Sequence, residues 1–212
     1  MKSKYSKEFL ANTKNYTIGR EKPITEITIH HAAAVGASAK AIAMEFRNPA
    51  RNASATYCIG ITGEIYNCVA EENTPYTNGD WDDNSRAITI ECANDGKWTI
   101  SKKTEFALCM LIADIARRYN MLPLTRDIIR IHSDYENTEC PGEYITEHIN
   151  DIIELANAYA TDSDSMPNAW AFSAIVDALA NGILFGDGNS LNLRKNPTRE
   201  EVLTFIDRSL NK

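Results

Sequence analysis

Residues 23–33 read PITEITIHHAA, and this stretch decides the fold. Pro23 marks a start, and Ile24, Ile27 and Ile29 supply the β-branched run of a strand that closes on a histidine pair. Two other stretches are built alike. Residues 87–92, AITIEC, form a short apolar strand interrupted by one carboxylate, Glu91, and residues 127–132, DIIRIH, end on His132. Helices are expected between them. Residues 37–47, ASAKAIAMEFR, are Ala-rich without a breaker. Over 103–120, Leu108, Leu111, Ile112, Ile115 and Tyr119 share one helical face, and Asn120 and Pro123 end the run. Residues 56–69 read as a hairpin, 71–86 as a loop rich in Asn, Asp, Gly and Pro, and 143–158 as a helix. The order β-α-β-β-β-α-β-α predicts an α/β fold with a mixed central β-sheet flanked by helices.

At 161–167, TDSDSMP, the composition shifts to that of a linker. Beyond it, WAFSAIVDALANGILF and PTREEVLTFIDRSL read as two helices, with Glu200 and Glu201 at the positive end of the second. The expected organisation is a main domain over 1–160, a linker over 161–167 and a small C-terminal helical domain over 168–212. A piece this short is marginal for independent folding, so it is expected to dock on the main domain or on a second copy of itself.

The bulk composition excludes several classes of function. Of 212 residues, 43% are hydrophobic and 24% charged, which suits a globular protein with a real core. A net charge of −7 argues against nucleic acid as a partner and against docking on an anionic membrane. No apolar run is long enough to span a bilayer. The N-terminus has lysines but no apolar core of a secretory signal, so synthesis in the cytoplasm and delivery by another route are expected. Five cysteines, an odd number, point to reduced thiols rather than a disulfide framework. If Thr62-Gly63 is a two-residue turn, Cys58 faces Asn67 and Cys68 faces Tyr57, which puts the two cysteines on opposite sheet faces.

Among the four histidines, His30 and His132 stand at strand ends, and Cys140 follows His132 by eight residues. Imidazole nitrogen and thiolate sulfur are zinc donors, and a strand end and the next loop can converge on one ion. The residues alone leave two readings open: a metal site, or polar strand ends with a buried thiol. Glu91 has a parallel ambiguity. A carboxylate in an apolar strand either faces solvent or has a chemical reason to be there.

Four stretches, IHHAA (29–33), Tyr57 within ATYCIG, NSRAITIECAND (84–95) and IHSDYENTECPG (131–142), resemble the signatures of the type 2 N-acetylmuramoyl-L-alanine amidases, the family that includes the peptidoglycan recognition proteins. The likeness runs over about residues 20–158 and is strongest to endolysins of phages and prophages of clostridia. It implies hydrolysis of bacterial peptidoglycan between N-acetylmuramic acid and L-alanine. One Zn2+ would be held by His30, His132 and Cys140, with His31 pointing the other way. It implies Glu91 as general base, and Thr138 and Tyr57 as groups that polarise the reacting oxygen, although Tyr57 also reads as an ordinary strand aromatic. Tyr76, Asn78, Trp81 and Arg86 would lie in the loop that lines the substrate groove. A non-catalytic peptidoglycan-binding module on the same fold is the alternative, and the presence of Cys140 favours the enzyme. Release through a holin would suit such a lysin. Trp170, Gly182, Asp187 and Thr198-Arg199-Glu200-Glu201 resemble a single S-layer-homology-like unit, which implies contact with secondary cell-wall polymers; a homodimer formed through this piece is the other expectation.

Overall fold

The structure, a computed structural model, describes residues 1–188 and 190–211. Its strands are β1 (Ser6–Glu8), β2 (Tyr16–Thr17), β3 (Glu26–Val35), β4 (Tyr57–Ile59), β5 (Ile65–Asn67), β6 (Thr74–Pro75), β7 (Ala87–Asn94) and β8 (Ile129–Ile131). The helices are α1 (Ala39–Glu45), α2 (Trp81–Arg86), α3 (Lys102–Tyr119), α4 (Glu143–Glu147), α5 (Ile149–Thr161), α6 (Phe172–Ala180) and α7 (Arg199–Leu210).

Alternation along the strands builds the sheet. Ile27 and Ile29 on β3, Ile88 and Ile90 on β7, and Ile129 and Ile131 on β8 are buried, and all belong to one hydrophobic cluster. The residues between them face the other way. β3 pairs parallel with β7 and with β8, and β4 pairs parallel with β7. The central sheet runs β1-β5-β4-β7-β3-β8 and is mixed, because β4 and β5 are antiparallel. β1, which the sequence did not reveal, adds parallel to β5. It is short and polar, and pairing rather than apolar alternation makes it a strand.

The hairpin differs from its expected register. Tyr57 pairs with Asn67, Cys58 with Tyr66 and Ile59 with Ile65, and Gly60 N–H donates to the Glu64 carbonyl. The turn is therefore Ile61-Thr62-Gly63 rather than two residues. A shift of one residue moves side chains to the opposite face. Cys58 and Cys68 thus share a face, with their Sγ atoms 3.5 Å apart as free thiols.

Helices cover both faces. α3 starts where Ser101 Oγ accepts the Thr104 N–H, and ends at Asn120 in the left-handed conformation. Its Leu108, Leu111, Ile112 and Ile115 pack with the isoleucine face, Ile152 of α5, and Phe172 and Val176 of α6. On the second face, Ala39, Ile42 and Ala43 of α1 pack with Cys58, Cys68 and Val69. The helix expected over 143–158 is two helices, α4 and α5, broken at His148.

The expected linker is packed rather than free. Residues Ser163–Ser165 form a 3-10 turn, and Ser165 and Met166 are buried. The Tyr5 ring stacks on Phe172 at 4.4 Å, and its hydroxyl donates to the Pro167 carbonyl at 3.0 Å. α6 is thus part of the main core, whereas α7 has no buried residue. Among the described residues, no helix is long and apolar enough to cross a membrane.

Candidate metal centre

Register places the chemistry. His30 on β3 pairs with Glu91 on β7, and Glu91 pairs with Cys58 on β4. Ile29 pairs with Ile131, so His132 follows one step beyond the end of β8, where it opens a 3-10 turn. Paired residues of parallel strands project from the same face. Cys58, Glu91, His30 and His132 therefore form one row across the sheet, opposite the isoleucine core. The loop after His132 brings Cys140 onto this row.

His30, His132 and Cys140 offer ligand atoms that all lie within 4.8 Å of one another. Cys140 Sγ is 3.8 Å from His30 Nδ1, and the two imidazole centroids are 4.5 Å apart. Donors around a tetrahedral zinc ion lie about 3.3–3.6 Å from each other, so a small side-chain adjustment brings this set to that geometry. The nitrogens are prepared for it. Asn78 Nδ2 donates to Thr28 Oγ1, which leaves Asn78 Oδ1 to accept from His30 Nε2 at 2.8 Å. His30 Nδ1, facing Cys140, then carries the free lone pair. His132 Nε2 is buried without a hydrogen-bond partner among the described residues; Glu136 Oε2, at 3.6 Å, is too far to serve. An orphaned nitrogen beside a thiol and a second imidazole fits a metal of borderline softness.

Burial sets the protonation states. Desolvation, reinforced by His132, lowers the His30 pKa to about 3. Desolvation also lowers that of His132. Both rings are neutral, as ligands must be. Desolvation, with Glu91 nearby, pushes the Cys140 thiol up to about 12, against the pull of the His31 backbone N–H, which donates to Sγ at 3.3 Å. Glu91 is only partly buried as a residue, but its Oε2 is shut off from solvent and has no hydrogen-bond partner among the described residues. Desolvation raises its pKa to about 7, and Arg51 works in the opposite direction.

The other expected site residues divide. Thr138 Oγ1 accepts the Cys140 N–H at 3.2 Å, which leaves its own proton free to donate. His31 pairs with Cys92 on the core side of β3 and lies against Trp98, as strand parity implies. Tyr57 is not brought to the site. It pairs with Ile90 on the opposite face, is fully buried, and donates to Glu71 Oε1 at 2.6 Å while accepting the Ser3 N–H at 2.7 Å. Its expected polarising role has no geometric basis, because the sheet stands between its hydroxyl and the row. In the loop, Asn78 is the residue that reaches the centre. Tyr76 bonds Thr17, the Trp81 indole bonds Glu21, and Arg86 pairs with Glu26 and Asp82. Asn84 Oδ1 holds the loop by accepting the N–H groups of Thr77 and Asn78. The orienting role of Asn78 had no sequence signal beyond its place in that loop.

In fold, the chain is similar to the catalytic domain of XlyA, at 23% identity and a TM-score of 0.57, over 70% of this chain and 97% of that one. It is similar to a mutant endolysin from Bacillus subtilis, at 20% identity and a TM-score of 0.54, over 71% of this chain and 97% of that one. It is also similar to the endolysin N-acetylmuramoyl-L-alanine amidase LysCS from Clostridium intestinale URNW, at 18% identity and a TM-score of 0.54, over 69% of this chain and 93% of that one. No curated protein matches the chain. A model of the N-acetylmuramoyl-L-alanine amidase family matches residues 20–143, which include His30, Cys58, Glu91, His132 and Cys140, and the chain belongs to that family.

Proposed function

We propose that this chain is a zinc-dependent amidase that hydrolyses the bond between the lactyl carbonyl of N-acetylmuramic acid and L-alanine of the stem peptide. The observation that carries this reading is that His30, His132 and Cys140 converge with Glu91 in the same row beside them. A binding module needs no buried, unpartnered carboxylate at that point, so the row favours the enzyme over the non-catalytic alternative.

When bound, zinc supplies Lewis-acid polarisation of the scissile carbonyl and makes a water molecule more acidic. His30 and His132, neutral in their buried setting, would hold the ion together with the deprotonated thiol of Cys140. Glu91 would accept the proton of the attacking water and pass it to the leaving amine of L-alanine. A carboxylate whose pKa lies near neutrality can do both. Thr138, with its hydroxyl proton unused, would donate to the oxygen on which negative charge develops.

For the C-terminal piece, two expectations remain: contact with secondary wall polymers, or pairing with a second copy. The observation that supports a surface role is α7, where Val202, Leu203, Ile206 and Leu210 are all exposed.

Digestion of Gram-positive cell walls, with and without a chelator, tests the main reading. The expected result is chelator-sensitive release of L-alanine amino termini without new reducing sugars. New reducing ends would mean a glycosidase, and binding to walls without release would mean a non-catalytic module.

A further inference from the structure

We propose that Cys58 and Cys68 form a disulfide when the chain meets a low-molecular-weight disulfide, and that this bridge staples the β4–β5 hairpin beside the metal-centre row. The two Sγ atoms are 3.5 Å apart, in van der Waals contact. A disulfide needs about 2.05 Å between its sulfurs, so a closure of about 1.5 Å by side-chain rotation and a small backbone shift completes the bond. The backbone around the pair is already fixed. The Thr56 carbonyl accepts the Cys68 N–H at 2.9 Å and Asn67 Nδ2 at 3.0 Å, and Asn67 Nδ2 also donates to the Val69 carbonyl at 2.8 Å. Cys58 is held in register between Tyr66 on β5 and Glu91 on β7. Two thiols held in this way present each other at a high local concentration. The other cysteines are placed elsewhere. Cys92 pairs with His31 on the opposite sheet face, Cys109 lies on α3, and Cys140 is at the metal centre.

Access limits the reaction. Both cysteines are fully buried and pack with Ala39, Ile42 and Ala43 of α1. Burial, with Cys68 and Glu91 nearby, pushes the Cys58 thiol well above its ordinary range, so the closed hairpin supplies little of its thiolate. Oxidation therefore proceeds through local opening of the elements around the pair, where α1 has seven residues and the edge strand β1 has three. One thiol gives up its proton and attacks a sulfur of the reagent, RSSR. A protein–reagent S–S bond forms, the RS–SR bond breaks, and RSH leaves with that proton. The second thiol, deprotonated in turn, attacks the protein sulfur of the mixed disulfide. The Cys58–Cys68 bond forms and a second RSH leaves. Two electrons pass from the protein sulfurs to the reagent, which ends as two thiols. Glu91 Oε2 accepts no hydrogen bond from Cys58 before the reaction, so the bridge takes none away from that oxygen.

The full chain is incubated with oxidised glutathione, with and without zinc, in native buffer and in urea just below the unfolding transition. The urea arm opens the hairpin locally, so burial does not mask a negative result. Remaining thiols are blocked, and the bridge is mapped by mass spectrometry of the digested chain. The expected product has lost two thiols and carries a linked peptide between Cys58 and Cys68. Its Tm in native buffer should rise by about 5–10 °C and return on reduction. Cys68→Ala should show neither the linked peptide nor the shift. Unbridged Cys58 and Cys68 in both solvents, or a bridge from Cys58 to Cys140, overturns the proposal, and so does a lower Tm on bridging. Neither readout depends on hydrolysis, so failure of the amidase reading leaves both intact.

Discussion

Glu91 and His30 are register partners on adjacent parallel strands, so the carboxylate and the imidazole leave the same sheet face side by side. Neither position depends on a loop. The rest of the centre is attached to this rigid pair: His132 by the end of β8, Cys140 by the loop that follows, and Asn78 by the loop capped by Asn84.

The first prediction concerns Glu91. Glu91→Gln should keep its zinc and lose turnover by about 10²–10⁴-fold. It should also gain stability. In the metal-free protein, Glu91 titrates near 7, against about 4.5 when unburied. The folded state thus holds a proton that the unfolded chain releases first, so stability falls as pH rises from about 4.5 to 7 and stays low above that. Glutamine never ionises. The chelated variant should match wild type below about pH 4 and exceed it by a few kcal/mol above about pH 8. Urea unfolding at both pH values measures this. A variant less stable at both would make Glu91 a structural residue.

Zinc affinity should rise with pH. The thiol of metal-free Cys140 is protonated up to about 12, whereas both histidines are already neutral near pH 7. Binding therefore displaces one thiol proton, and affinity should climb about tenfold per pH unit between roughly pH 7 and 9. Below 7 the slope should steepen, because a cation also favours ionised Glu91. Competition with a chromophoric chelator at several pH values gives the slope. A flat profile would exclude Cys140 as a thiolate ligand.

Asn78→Ala tests the orienting bond to His30 Nε2. Its loss frees the ring to rotate and leaves the proton position unfixed, which should weaken zinc binding by about 10–100-fold. Asn78→Asp keeps an acceptor and should retain most of the affinity. Equal loss in both variants would mean that the loop, rather than the hydrogen bond, supports the centre.

What could be read from the sequence follows from the range of the forces involved. The strands around Ile27, Ile29, Ile88 and Ile90 are evident because burial on one face imposes a local alternation. The convergence of His30, His132 and Cys140 came from resemblance rather than spacing, since 110 residues separate the outer two. Hairpin register is not legible in the sequence, because one extra turn residue reverses every side chain and Thr62-Gly63 is compatible with either turn. The packing of α6 on Tyr5, and the bond from Asn78 to His30, join distant segments by single contacts that leave no periodic trace.

Tyr57 carries the last prediction, because sequence and structure give it different roles. Its hydroxyl donates to Glu71, a fully buried carboxylate that also accepts both terminal nitrogens of Arg118 and the hydroxyl of Tyr119. The same oxygen accepts the Ser3 N–H and so ties the N-terminal segment to the core. Tyr57→Phe removes both bonds without removing the ring. It leaves a buried N–H unpaired and Glu71 short of one donor, which should cost about 1–3 kcal/mol. The sheet separates this network from Glu91, so turnover per folded molecule should stay within about twofold of wild type. Unfolding and wall hydrolysis measured on one preparation separate the two roles. A large loss of turnover at unchanged stability would return Tyr57 to the reaction.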